Sequence, residues 1–366
     1  MTNAEKKILD IIKKDPFISQ QDIADELNLQ RSSVAVHISN LKQKGKILGM
    51  GYIFPNVEYI TVIGGANVDF IGYSKNKILK NDSNIGFIKT SLGGVGRNIA
   101  ENISKLGVKT YLISPIANDD KAKLILNNAD ITKIDISKMV RVDDEFIGTS
   151  SYMAILDDEK DMLYAISDME IMKYLNETEI EKRRTHIENA KYVVLDANIT
   201  EEAIDYIFCK LNVNNIIVDT VSKNKTYKFL NYLDKIFLIK PNIYELEILS
   251  GISIENEEDI KKSAKIVIDK GVKHLVISRG HDGVDYYSKD KHVHFDVKKV
   301  DVVNATGAGD SFIAGICYAL MNDMDIDEAI LYGISAANIT LKSELTVSEN
   351  MTLNNLIKEK EKLGGF

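Results

Sequence analysis

Apolar residues recur at helical spacing at the start of the chain. "AEKKILDIIKKD" sets Ile8, Leu9 and Ile12 on one side at i, i+1 and i+4, the stripe of a short amphipathic helix that Pro16 stops. Ser19, with Asp22 three residues on, reads as an N-cap for "QQDIADELN", whose apolar face is Ile23 and Leu27. A tight turn through Asn28 and Leu29 leads to "QRSSVAVHISNLKQKG", where Val34, Ile38 and Leu41 face inward and Gly45 closes the helix. "KILGMGYIF" then alternates like a small hairpin or wing. Residues 1–55 are therefore expected to form a small helical head.

From Tyr59 onward the pattern changes to short apolar runs rich in β-branched residues: "YITVIGG", "VKTYLIS", "KYVVLDA", "NNIIVDT", "KIFLIK" and "KHLVIS". Helical stretches such as "GRNIAENISKLG" and "NEEDIKKSAKIVIDKG" separate several of them, each ending in glycine. That alternation predicts an α/β body over residues 56–366, with βαβ units and a mainly parallel central sheet covered on both faces. Ligands on such sheets lie beyond the carboxyl ends of the strands, and Asp69, Asn198, Asp219, Asn242 and Gly280 all follow strand-like runs. Residues 145–168, "EFIGTSSYMAILDDEKDMLYAISD", break the rhythm and read as two strands joined by an acidic turn at Asp157 to Asp161. With strand-like pieces around 70–90 they are expected to form a small β lid able to close over a substrate.

Composition narrows the function classes. The 366 residues are 45% hydrophobic and 27% charged, with no apolar stretch of membrane-spanning length and no secretory signal at the start, so a cytoplasmic location without membrane contact is expected. Two isolated cysteines, Cys209 and Cys317, form no CxxC and give no case for structural zinc. A net charge of −8 argues against a nucleic-acid coat protein. The head differs, carrying seven lysines and one arginine against six acids. It resembles the winged helix-turn-helix of many bacterial regulators, whose third helix enters a major groove; Arg31, Ser32, Ser33 and His37 lie on that helix's polar side. DNA is the implied partner, and a three-helix module for dimerisation or regulation is the alternative.

The most telling stretch is "VVNATGAGDSFIAG", residues 302–315. A turn of small residues lets successive backbone N–H groups point at one spot, and a following helix adds its positive end. In Gly307-Ala308-Gly309-Asp310 that anion cradle stands beside a carboxylate, a combination suited to deprotonating a hydroxyl as it attacks phosphorus. A helix-capping aspartate after a glycine turn is the plain structural alternative. No G-x-x-x-x-G-K-[ST] occurs, which disfavours a P-loop ATPase, and "GGVGRN" ends in Asn98 where a dinucleotide fingerprint needs Gly or Ala.

"NATGAGDSFIAG" resembles the C-terminal signature of the ribokinase-like (PfkB) carbohydrate and nucleoside kinases, and "GGVGRNIAENISKLG" at 93 resembles their N-terminal glycine signature. "GGANVD" at 64, "KPNIYELE" at 240 and "SRGHDG" at 278 agree in order and spacing. Within the family, "AISDM", "DAN", "DTVS" and "LKSELTVS" are most similar to pseudouridine kinases, of which bacterial members can carry such a head. The resemblance implies a ribokinase-like fold and ATP-dependent phosphorylation of the 5'-hydroxyl of pseudouridine. Asp310 would be the general base, and the N–H groups of Gly307, Ala308 and Gly309 would hold the transferred charge. Asp69, Gly93, Gly94 and Asn98 would grip sugar hydroxyls, with Asn67, Asp168 and Asn198 placed nearby by neighbourhood alone. ATP would lie along Asp219, Asn242, Ser278, Gly280, Gly283, Asn338 and Ser343, with Asn242 and Glu245 near magnesium through water. A homodimer is the expected assembly.

Three positions depart from the family pattern. Asn304 opens the C-terminal signature where many relatives have an aspartate that helps hold a monovalent cation, which leaves potassium activation open. Ile85 stands where a proline is common, and Ala117 where a glycine is usual. Another family substrate, such as ribose, adenosine or inosine, is one alternative. A nucleoside-responsive DNA-binding regulator is the other.

Overall fold

The computed structural model describes residues 1–49, 57–159 and 161–363. The chain divides into two compact units, Met1–Glu58 with Arg183–Ala190, and Tyr59–Lys182 with Lys191–Phe366.

In the first unit the helices are Asn3–Lys14, Gln20–Leu27 and Arg31–Gln43. The first two are capped locally. Thr2 and Glu5 form a reciprocal capping box on the first, Ser19 Oγ accepts the Asp22 N–H on the second, and Asn28 ends the second in the left-handed region at φ 52°. Ile8, Leu9, Ile12, Ile23, Val34, Ile38 and Leu41 close into one core with Ile47, while Leu27 is only partly buried against it. The segment Arg183–Ala190 belongs to this unit, and Asn189 donates to the Lys44 carbonyl at 2.8 Å. The hairpin expected over 46–54 lies mostly outside the described residues.

The second unit is built on an eight-stranded sheet. Its spatial order is His292–Phe295, Val284–Tyr287, His274–Ser278, Leu238–Lys240, Ile216–Asp219, Tyr192–Asp196, Ile60–Ile63 and Thr110–Ile113. The last six run parallel, and the first two form an antiparallel edge. All four residues of Ile60–Ile63 and of Ile216–Asp219 are buried, which is why these runs are apolar apart from Thr61 and the terminal Asp219. The sheet is mainly parallel, as the alternation of runs implied.

A second sheet has four strands in the order Gly86–Gly93, Asn67–Ser74, Ser151–Leu156 and Met162–Asp168. Its acidic turn is tied by Asp157 Oδ1, which accepts the N–H groups of Glu159 (3.0 Å) and Asp161 (2.9 Å). Asp69 stands inside this second sheet and not in the loop that follows Ile60–Ile63.

Two late helices, Ala308–Met321 and Ile326–Leu341, pack backbone to backbone. A Cβ on Gly315 would overlap the Tyr332 carbonyl, and one on Gly333 would sit 3.0 Å from the Phe312 carbonyl. Every residue from Asp310 to Leu320 is consequently buried, so the helix that carries Asp310 is anchored in the main core. No helix among the described residues is long and apolar enough to cross a membrane.

Candidate active site

Gly307 holds the turn before Asp310 at φ 85°, and a Cβ there would overlap the Thr346 carbonyl, so only glycine fits. Ala308 closes a loose turn by donating its N–H to the Ala305 carbonyl at 3.4 Å. Gly309 and Asp310 occupy first-turn positions, whose N–H groups have no acceptor within the helix. The anion cradle is thus better furnished by Gly309 and Asp310 than by Ala308. Lys240 adds a cation: its Nζ lies 3.3 Å from where a Cβ on Gly309 would be.

Asp310 is 8% exposed, and Asn98 Nδ2 donates to its Oδ2 at 2.7 Å. Burial, reinforced by the nearby Asp219 carboxylate, pushes its pKa up to about 7; the Asn98 hydrogen bond and Lys240 oppose the rise. A carboxyl poised near neutrality at a helix entrance is suited to accepting a proton.

The substrate-side candidates gather beside it. Asn67 Nδ2 donates to Asp69 Oδ1. Burial raises the Asp69 carboxyl to about 6, with Arg97 and Asn67 pulling the other way. A Cβ on Gly93 would overlap Asp69 Oδ2, and one on Gly94, at φ 93°, would overlap the Gly65 carbonyl. Asn198 stands on the far side of that turn, its Nδ2 3.3 Å from a Cβ built on Gly65 and its Oδ1 accepting from Lys225 at 2.5 Å. Asp168 is not brought to this group. Its register partner is Ser151, next to Val68, whereas Asp69 pairs with Ser91 and Tyr152, so the two aspartates leave opposite faces of the lid sheet.

A cleft of about 780 Å³ opens on the other side of the glycine turn. Ser278, Gly280, Gly283, Asn338, Ala308 and Gly309 line it, together with Lys240, Lys298 and Lys299 and the apolar side chains of Val284, Val297 and Ile334. Apolar walls with lysines among the lining suit a flat base and a polyphosphate. Asp219, Asn242 and Ser343 are not among the lining residues. Asp219 lies one step behind, its Oδ2 3.6 Å from Lys240 Nζ and its Oδ1 accepting the N–H of Val221, which is held at φ 60°. Ser343 turns back on its own loop, where its Oγ accepts the Leu345 N–H.

Asn242 and Glu245 are committed to each other as the capping box of the helix Ile243–Ser250. Glu245 Oε2 also accepts from Thr220 Oγ1 at 2.6 Å. No group of three or more acidic, histidine or cysteine side chains poised for a metal occurs among the described residues. As direct magnesium ligands these two do not fit; a hydrated ion carried on phosphate oxygens does. Asn304 is also occupied, donating to the Glu344 carbonyl at 3.1 Å and accepting the Thr306 N–H at 2.9 Å.

Three buried residues were not singled out from the sequence. Lys240 ends the apolar run "FLIK", and only its burial, at 6% exposed, sets it apart from a surface charge. Asp196, fully buried, accepts the N–H groups of Gly65 (2.8 Å), Gly96 (2.7 Å) and Asn198 (2.8 Å), and burial pushes its carboxyl upward. Arg97 sits inside the glycine signature itself, 3% exposed.

Residues 57–352 match the model of the pfkB family carbohydrate kinases. The chain belongs to that family. Residues 1–47 match a winged helix-turn-helix DNA-binding model. The pfkB chain is 32% identical to the uncharacterized sugar kinase YeiI of Escherichia coli strain K12, over 98% of both chains. It is 35% identical to the pseudouridine kinase of the same organism, over 82% of this chain and 96% of that one. Among solved structures, the Arabidopsis thaliana ribokinase complexed with ribose and ATP shares the fold with a TM-score of 0.70 at 20% identity, covering 83% of this chain and 99% of that one. Kinases of this family act on sugars or nucleosides and use ATP with Mg2+.

Proposed function

We propose that this pfkB kinase transfers the γ-phosphoryl group of ATP to the 5'-hydroxyl of pseudouridine. The observation that carries the chemistry is the pairing of Asn98 with Asp310 at the mouth of the glycine turn, with Lys240 beside it. Asp310 takes the hydroxyl proton as the oxygen bonds to phosphorus and the bond to the ADP oxygen breaks. The N–H groups of Gly309 and Asp310 and the Lys240 ammonium stabilise the charge on the moving phosphoryl group. Asn67, Asp69, Gly93, Gly94, Asn98 and Asn198 hold the ribose. ATP lies in the cleft of Ser278, Gly280, Gly283 and Asn338, with Asp219 acting through Lys240. Magnesium carried on the phosphates would be met by Asn242 and Glu245 only through water.

Support for pseudouridine over another nucleoside comes from the likeness to the Escherichia coli pseudouridine kinase along most of the chain. Guanosine-inosine kinase of Exiguobacterium acetylicum, at 26% identity, keeps purine nucleosides in the comparison. The test is kcat/KM with ATP and magnesium for pseudouridine, uridine, ribose, adenosine and inosine. Pseudouridine leading the panel is expected; ribose or a purine nucleoside in front overturns the assignment within the family.

The lid sheet presents Ile88, Met153, Ile155, Tyr164 and Ile166 from one exposed face, by the pairing Ile88 with Gly72, Gly72 with Ile155 and Ile155 with Tyr164. An apolar face of this extent favours pairing with a second copy of the chain. In the head, the exposed Arg31 and Ser32 begin the third helix, which is the element proposed to enter DNA. Salt-sensitive, sequence-selective DNA binding by the full chain tests that second role.

A further inference from the structure

The guanidinium of Arg97 has every one of its N–H groups engaged. Nε donates to the Gly93 carbonyl and Nη2 to the Leu92 carbonyl, both at 3.1 Å. Nη1 donates to Glu101 and, at 3.1 Å, to Asn128 Oδ1. The remaining Nη2 donor reaches Asn98 Oδ1 at 2.6 Å. Five donors in a rigid planar fork are all satisfied, with Glu101 supplying the neutralising charge.

That last contact matters because an asparagine amide has a donor end and an acceptor end. With Oδ1 fixed on Arg97, Nδ2 must face Asp310, where it donates at 2.7 Å and keeps one further hydrogen for substrate. Rotated the other way, the amide would set a carbonyl oxygen against a carboxylate. Leu92 and Gly93 close the lid strand Gly86–Gly93, so the same guanidinium ties the lid root to the partner of the base.

We propose that Arg97 is a positioning residue for phosphoryl transfer: it fixes the Asn98 amide so that Nδ2 faces Asp310, and registers that pair against the root of the lid. The inference rests on Asp310 being the base. The charged groups around Asp310 are Asp219, Asp196, Lys240 and Arg97 itself, so a change at Arg97 is read against a constant background of the other three.

Arg97→Lys keeps the charge and removes the planar fork. The expected outcome, in the full chain with its preferred nucleoside, is a fall in kcat of about 10²-fold with KM little changed. The acid limb of the kcat profile moves up by about half a pH unit, because the donor that favours the Asp310 carboxylate is lost. A role in folding alone would lower the melting temperature without moving that limb. In an Asn98→Ala background the same Arg97→Lys change should alter kcat by less than about twofold, since the amide through which it acts is gone. Losses that multiply across the two variants, or an unshifted limb, overturn the proposal. Should Arg97→Lys fold poorly, Arg97→Gln made together with Glu101→Gln removes the ion pair as a neutral unit and is read by the same two criteria. Asp310→Asn separates the two levels: full activity there removes the base assignment, whereas an inactive Asp310→Asn with multiplying Arg97 and Asn98 losses removes the positioning role alone.

Discussion

Asn98 and Asp310, 212 residues apart in the sequence, are joined by a 2.7 Å hydrogen bond that brings the two glycine signatures of the chain to one point. The bond has a direction, from amide to carboxylate. It partly offsets the burial that raises Asp310, and leaves a base that ionises near neutral pH.

The pH dependence follows with a definite sign. Asp310 rises from an ordinary 3.8 to about 7 in the fold, so kcat/KM should climb with pH through an acid limb near 7. Between those values the folded carboxyl keeps a proton that the unfolded chain has released, so its contribution to stability falls as pH rises across that window. Asp310→Asn should therefore raise the melting temperature relative to the parent at pH 8, with the advantage shrinking as pH is lowered toward 4. Thermal unfolding of both proteins at a series of pH values measures it.

Lys240 and Asp219 are a buried pair at 3.6 Å, each less than a tenth exposed. Lys240→Ala leaves the Asp219 carboxylate without its cation, at a cost of about 3 kcal/mol in denaturant unfolding. It also removes a positive charge from the phosphoryl path, so kcat should fall about 10²-fold. Lys240→Arg should recover part of the stability and little of the turnover.

Gly307→Ala puts a Cβ into the Thr346 carbonyl at a backbone angle that alanine rarely adopts. The turn must shift, and the Gly309 and Asp310 N–H groups with it. Turnover should drop more than about tenfold while nucleoside affinity, measured by calorimetry, stays close to that of the parent.

Ile88 and Ile166 are 74% and 68% exposed on the same lid face. Replacing both by lysine should convert a dimer to a monomer in sedimentation velocity while the far-UV circular dichroism of the folded chain stays unchanged. A parent protein that sediments as a monomer contradicts the assembly.

Much of this was legible in the residues. The buried parallel strands announce themselves as apolar runs, and "TGAGD" and "GGVGRN" locate the two turns because only glycine tolerates Gly307 and Gly94 as placed. The pairing of those turns was not legible from spacing, since it depends on the helix Ala308–Met321 packing against the helix Val95–Lys105. Asp168 shows a limit of another kind: a strand places alternate residues on opposite faces, and the face is fixed by register with Ser151, which the run "AISD" does not reveal. Lys240, Asp196 and Arg97 are not legible in the sequence because each looks like an ordinary surface charge until burial and partners are known.

The most direct measurement is single-turnover phosphorylation of pseudouridine by Asp310→Asn and by the parent protein with ATP and magnesium, the product followed as a 5'-phosphomonoester, with nucleoside binding measured in parallel. The expected result is a rate lowered by about 10³-fold with binding nearly intact. A variant that transfers phosphate at the parental rate would contradict the account.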